Sequence, residues 1–172
     1  WVTFIGGLML LVIGVIALSS AGFVGWALTP LGPDDTALTA LESDELVSVR
    51  TTDSGIEFSS ADETATVGFI LYPGGRVDPR SYAPLAREVA ERGYLVVVVP
   101  MRLNLAVLSP DRATDVIEAH PDIALWAIGG HSLGGAMAAQ YAANNEDAVD
   151  GLVLLAAYPP GSTDLTDTEI PV

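Results

Sequence analysis

The stretch from Ile123 to Asn145 constrains the fold of this chain more than any other. It runs from the apolar Ile123-Ala124-Leu125-Trp126-Ala127-Ile128 through Gly130-His131-Ser132-Leu133-Gly134 into a segment rich in helix formers that closes on Asn144 and Asn145. An apolar run of that length suits a buried parallel strand. The G-x-S-x-G pentapeptide then demands a sharp strand-to-helix turn. Ser132 is held there in a strained backbone conformation with its hydroxyl above the sheet. Side chains two residues before and after the serine would collide, so Gly130 and Gly134 are required. The Leu133 N–H lies at a helix N-terminus, where unpaired donors and the helix dipole favour an oxyanion. Chance alone produces the bare pentapeptide in about one chain in twenty of this length. Its weight therefore rests on the flanking strand and helix, and the competing reading is a glycine-rich turn with an inert serine.

Alternating elements precede and follow it. Leu46–Arg50 and Gly55–Ser59 flank Asp53-Ser54-Gly55, a hairpin turn. Thr66–Tyr72 reads as a strand ending in Pro73-Gly74-Gly75. Tyr82, Leu85, Ala86, Val89 and Ala90 share one helix face, and Gly93 stops that helix. Leu95–Val99 is too apolar for anything but an interior strand. Pro110–His120 reads as a second helix, with Ser109 as N-cap, Pro110 at the first position and Pro121 ending it. Gly151–Ala157 is another buried strand. This order predicts an α/β fold with a mainly parallel sheet and right-handed crossovers. Segments 34–45 and 158–170 read as linkers or surface loops, and no internal repeat is seen.

The first 33 residues are of a different kind, without a single charge. Trp1 to Leu28 is almost continuously apolar and long enough to span a bilayer, with Trp1 and Trp26 near its ends. A secretory signal competes, since Ala17-Leu18-Ser19-Ser20-Ala21-Gly22 offers small residues for cleavage. The apolar length exceeds the ~7–15 residues of a signal core, which favours an uncleaved anchor. Ala17, Ala21 and Gly25 are spaced for a close-packing helix face. Asp34, Asp35, Glu42, Asp44 and Glu45 precede the first basic residue, Arg50, which places the globular part on the extracytoplasmic side of a single-pass topology. The organisation expected is a transmembrane anchor over 1–28, an acidic linker over 29–45 and a globular domain over 46–172.

All 22 acidic and 7 basic residues follow residue 33, giving a net charge of −15 with no lysine. So strong an acid excess argues against nucleic acid or anionic lipid as a partner. A surface of this kind is found in proteins of salt-loving microbes; a GC-rich genome with ordinary acidic usage is the alternative. Cysteine is absent, so disulfides and thiol chemistry contribute nothing.

Tyr72-Pro73-Gly74-Gly75, the strand end at Val99-Pro100 and Gly129-Gly130-His131-Ser132-Leu133-Gly134-Gly135 together resemble the α/β-hydrolase superfamily over residues 46–172. Within it the chain looks most similar to membrane-anchored bacterial and archaeal hydrolases of the dienelactone-hydrolase-like group. The resemblance implies that the pentapeptide is a nucleophile elbow and Ser132 the catalytic residue. It also implies that the Gly75 N–H is the second oxyanion donor beside Leu133, with Arg76 as a neighbouring choice. A small acyl or ester substrate follows from it, and no cofactor. Pro73-Gly74-Gly75 lacks the Lys-Ser/Thr of a phosphate loop, and no metal cluster is evident. Arg76, Arg102 and Asn104, on loops at the carboxyl ends of strands, are candidate pocket residues or solvated loop side chains.

The triad of that superfamily runs Ser, then Asp or Glu, then His. No histidine follows Ser132; His120 and His131 both precede it. His131 adjoins the serine, where neighbouring side chains diverge, so filler or a rim contact suits it better than the role of base. His120 is explained by the dipole at its helix end. Asp147 and Asp150 come too early for the triad acid, and Asp164, Asp167 and Glu169 lie one strand short of its usual place. The chain is accordingly read as truncated at both ends, with a natural pseudoenzyme that binds acyl ligands or partners as the alternative. On either reading this polypeptide alone is expected to have little esterase activity. Acyl transfer to an alcohol uses the same fold and triad and stays open.

Overall fold

Along the central strands of the sheet, alternate side chains point to opposite faces, and both faces are apolar. Ile70 and Tyr72 join one buried cluster with Val97 and Ile128, while Leu71 joins another with Val96, Val98 and Phe58. The computed structural model describes residues 2–166, 168 and 170–172, with side chains from residue 5 onward. Its elements are α1 (Val2–Ala27), α2 (Asp35–Thr39), β1 (Val47–Thr51), β2 (Ile56–Ser60), β3 (Val67–Tyr72), α3 (Ala83–Ala90), β4 (Leu95–Val98), α4 (Arg112–Ala119), β5 (Leu125–His131), α5 (Leu133–Asn144) and β6 (Gly151–Leu155). The sheet order is β1-β2-β4-β3-β5-β6. β1 and β2 form the expected hairpin and β2 pairs antiparallel with β4, whereas β4, β3, β5 and β6 run parallel. The α/β-hydrolase fold expected from the sequence is thus present, a mostly parallel mixed sheet preceded by an apolar helix.

α4 and α5 cover one face of the sheet through Ala113, Val116, Met137, Ala138 and Tyr141, and α3 covers the other. On α3 the buried stripe is Ala83, Ala86 and Ala90 rather than the larger set read from the sequence. Alanines let the helix axis approach the sheet closely, and this leaves Leu85 and Val89 to one side. Those two line a hollow of about 280 Å³ with Phe69, Tyr94, Ala127 and Val153.

α4 begins at Arg112, not at Pro110, and Ser109 does not cap it; the Ser109 hydroxyl instead accepts the Arg102 N–H at 3.1 Å. A distant residue does the capping. The Tyr72 phenol accepts the Ala113 N–H at 2.7 Å and donates to the Pro110 carbonyl at 2.7 Å. Burial pushes the Tyr72 phenol well above its ordinary value, so it stays a neutral donor and acceptor.

Segment 34–45 contains α2, capped by Asp34 through the Ala37 N–H at 2.8 Å. Arg87 on α3 fastens this segment by donating to the Ala40 carbonyl at 3.1 Å and to Asp44 at 2.7 Å. The N–H groups of Val47 and Leu46 hold the Asp44 carboxyl below the usual carboxylate range, and Arg87 adds to this.

α1 is a single helix of 26 residues whose described side chains are exposed except for Ala27. Ile5–Ala27 is long and apolar enough, by length and composition, to cross a membrane. Trp1 lies outside the described residues.

Replacing Tyr72 by Phe keeps the ring but leaves the Ala113 N–H and the Pro110 carbonyl without their partner. The expected loss of stability is about 1–3 kcal/mol, read from the midpoint of denaturant unfolding. A loss below about 0.3 kcal/mol would contradict the capping role.

Candidate active site

β5 lies between β3 and β6, so its carboxyl end opens where sites form on parallel sheets. There the chain turns into α5 at Ser132, whose φ is 51° and ψ −119°. A non-glycine residue at positive φ carries strain of roughly 1–3 kcal/mol and persists only where its surroundings enforce it. The enforcement is visible. The Ser132 N–H donates to the Leu155 carbonyl at 3.0 Å, and its own carbonyl accepts the Ala136 N–H at 3.1 Å. A Cβ on Gly130 would lie 2.7 Å from the Tyr72 carbonyl oxygen, and one on Gly134 would press on the carbonyl oxygens of Tyr72 and Pro73. Backbone of the β3 end, together with the first turn of α5, whose Gly134 carbonyl carbon would lie 2.5 Å from a Cβ on Gly130, therefore fills the space that side chains would occupy. Ser132 is exposed and its side chain makes no capping hydrogen bond.

Gly129 and Gly135, which stood in the motif without a role of their own, are also needed. A Cβ on Gly129 would lie 2.5 Å from the Val153 carbonyl, and one on Gly135 would lie 2.5 Å from that of Gly130. Their signal was the doubled glycines on either side of the pentapeptide.

Leu133 opens α5, so its N–H has no partner inside the helix. Gly75 faces it across the turn: a Cβ there would lie 3.3 Å from Leu133 Cδ2. The amides on either side of Gly75 are engaged. The Gly74 N–H donates to the Tyr82 hydroxyl at 2.8 Å, and the Arg76 N–H to the Asn104 carbonyl at 2.7 Å. Among the described residues the Gly75 N–H donates to none.

His131 does make a rim contact. Its Nδ1 lies 3.0 Å from the Tyr82 hydroxyl that holds Gly74. Burial raises the Tyr82 phenol above its ordinary value, so the hydroxyl keeps its proton. The elbow strand and the Gly74-Gly75 loop are thereby linked through one hydroxyl.

The other residues singled out are placed as follows. Arg76 turns its guanidinium to the end of α1, donating to the Trp26 carbonyl at 2.8 Å. Asn104 donates to the Ala27 carbonyl at 2.9 Å. Arg102 borders a separate cavity of about 650 Å³ with Leu108, Asp111 and Arg112, which Ser132 does not line. His120 lies elsewhere: Nδ1 donates to the Val116 carbonyl at 2.8 Å and Nε2 sits 3.3 Å from the buried Glu57. This pair, not the helix dipole alone, accounts for it. Asp150 accepts the Trp126 N–H at 2.8 Å, at the opposite end of β5 from Ser132. Asp164 bonds Thr166, while Asp167 and Glu169 lie outside the described residues. No group of three metal-binding side chains occurs among the described residues.

Known proteins show the same architecture. A structure titled bacterial heroin esterase aligns at a TM-score of 0.56 and 24% identity, covering 72% of this chain and 48% of its own. A hyperthermophilic esterase from the archaeon Pyrobaculum calidifontis aligns at 0.53 and 17% identity, covering 83% and 53%. The chain thus spans about half the length of these structures. A search of curated protein sequences gives no match. The model of the alpha/beta hydrolase family matches residues 68–172, from β3 through the elbow to the last strand. The matches carry the family and no narrower group within it. Fold, elbow geometry and family model agree: the chain belongs to the alpha/beta hydrolase family.

Proposed function

We propose that the full-length protein hydrolyses a carboxylic ester or related acyl substrate through an acyl-enzyme on Ser132. The observation that carries this reading is the exposed Ser132 at φ 51°, its hydroxyl unengaged in capping, beside two amides that donate to no partner among the described residues. In this mechanism a histidine takes the Ser132 proton as the oxygen attacks the substrate carbonyl. In the proposed mechanism the Leu133 and Gly75 N–H groups donate to the oxygen of the tetrahedral intermediate, on which negative charge develops. Collapse expels the alcohol, and water then releases the acid from Ser132. Neither His120 nor His131 bonds Ser132, and the proposal assigns the base and its acid partner to the remainder of the full-length protein. The esterase titles of the similar structures support the ester class.

The proposal also places α1 in a bilayer as an anchor, with the globular part on the extracytoplasmic side. Its support is the uncharged, exposed surface of Ile5–Trp26 and the acidic residues that follow. No cofactor takes part.

A fluorophosphonate should label the full-length protein, and Ser132→Ala should abolish labelling while Ser43→Ala leaves it intact. Labelling that survives in Ser132→Ala would overturn the assignment. In Gly134→Ala the new methyl meets two backbone oxygens, so the labelling rate should fall by about 10²-fold at unchanged circular dichroism. An undiminished rate would remove the close packing at the elbow from the account.

A further inference from the structure

The C-terminal end of α1 is fastened to the loop that carries Gly75. Arg76, the next residue, sits at φ 57° and donates through Nε to the Trp26 carbonyl at 2.8 Å and through Nη2 to the Thr29 carbonyl. Its guanidinium carbon lies 4.4 Å from the centre of the Trp26 ring. Asn104 holds the Ala27 carbonyl with its side chain and the Arg76 N–H with its own carbonyl. Four residues after Ala27 the chain pairs again, with the Leu31 N–H on the Arg76 carbonyl at 2.6 Å and the Asp78 N–H on the Leu31 carbonyl at 2.9 Å. The last carbonyls of a helix need such partners, and a cation there also meets the negative end of the dipole. A helix that served only as a tether would not require its end to be bound by the residue next to an oxyanion donor.

The surroundings of this joint are apolar and exposed. Leu28 is 59% exposed and Leu31 66%, Val107, three residues after Asn104, is 52% exposed, and the Trp26 ring lies tilted by 36° at a centroid distance of 5.8 Å from Phe23. Paired aromatics at the end of an apolar helix suit the membrane–water interface. With 26 residues α1 is about 39 Å long against roughly 30 Å of hydrocarbon, so its last turn reaches the headgroup level.

We propose that this joint holds the exposed Ser132 site against the bilayer surface, and that the substrate is an acyl ester residing in the membrane interface. The inference rests on the reading of Ser132 as nucleophile and α1 as anchor. A net charge of −15 on the protein repels anionic headgroups, so the class is neutral or zwitterionic acyl lipids and long-chain esters. The joint fixes the distance and tilt of the Ser132 site relative to the surface, and an acyl chain reaches Gly75 without crossing bulk water.

The test uses the full-length protein in phosphatidylcholine nanodiscs, with a palmitoyl ester in the bilayer and an acetyl ester of the same fluorophore in solution. A Gly/Ser insertion of about twelve residues after Gly25 separates the membrane-spanning part of α1 from the carbonyls that Arg76 and Asn104 hold, so the joint no longer positions the helix. Hydrolysis of the palmitoyl ester should fall about tenfold or more, with the acetyl ester unchanged. Equal rates in parent and variant on the palmitoyl ester would overturn the inference. A second measurement does not depend on activity. The chain has no cysteine, so Val107→Cys takes a single fluorophore, which headgroup-spin-labelled lipid should quench in the parent and less in the insertion variant. An unquenched parent overturns the inference whatever the rates. Quenching with neither ester hydrolysed and no phosphonate label would instead overturn the hydrolase reading on which the substrate class rests.

Discussion

Close packing of backbone against backbone, where the end of β3 passes the turn at Ser132, is the constraint on which the rest of this structure depends. The Tyr72 carbonyl oxygen lies where side chains at both Gly130 and Gly134 would need to be, joined by the Pro73 carbonyl oxygen at Gly134 and by the α5 backbone at Gly130. That contact joins two neighbouring parallel strands at their carboxyl ends and keeps Ser132 in a conformation an isolated chain would leave.

One short segment, residues 72–78, distributes this constraint through the molecule. Tyr72 caps α4, Gly74 is held by Tyr82 and through it by His131, and Gly75 lies against Leu133. Arg76 takes the end of α1 and Val77 bridges to Leu31. Three helices and the elbow strand are tied to one loop, mostly by bonds to backbone atoms. Shape at the site is thus set by several independent contacts, which is what precise placement of an oxyanion donor requires.

The sheet, its parallel centre and the strand–elbow–helix order were legible in the sequence because they are local patterns. Alternating and continuous apolar runs mark strands, and the glycine spacing around Ser132 marks the turn. What escaped was partnership over distance. Ala113 is capped by a residue 41 positions away, Arg76 reaches back 50 positions to Trp26, and Asn104 reaches 77 to Ala27. No spacing rule encodes such bonds. Ser109 looked like a cap because a serine before Pro110 is a strong local signal, but the deeper acceptor on Tyr72 was better placed for the Ala113 N–H. Arg76 and Asn104 were legible as loop residues near the site; their service to α1 was not.

The central claim, that the amides of Leu133 and Gly75 form one oxyanion site over Ser132, is tested most directly by a crystal structure of the phosphonylated full-length protein. The account predicts a covalent bond from phosphorus to Ser132 Oγ, with one phosphoryl oxygen about 2.7–3.1 Å from both nitrogens. An adduct on another residue, or an oxygen turned to solvent away from Gly75, would contradict it.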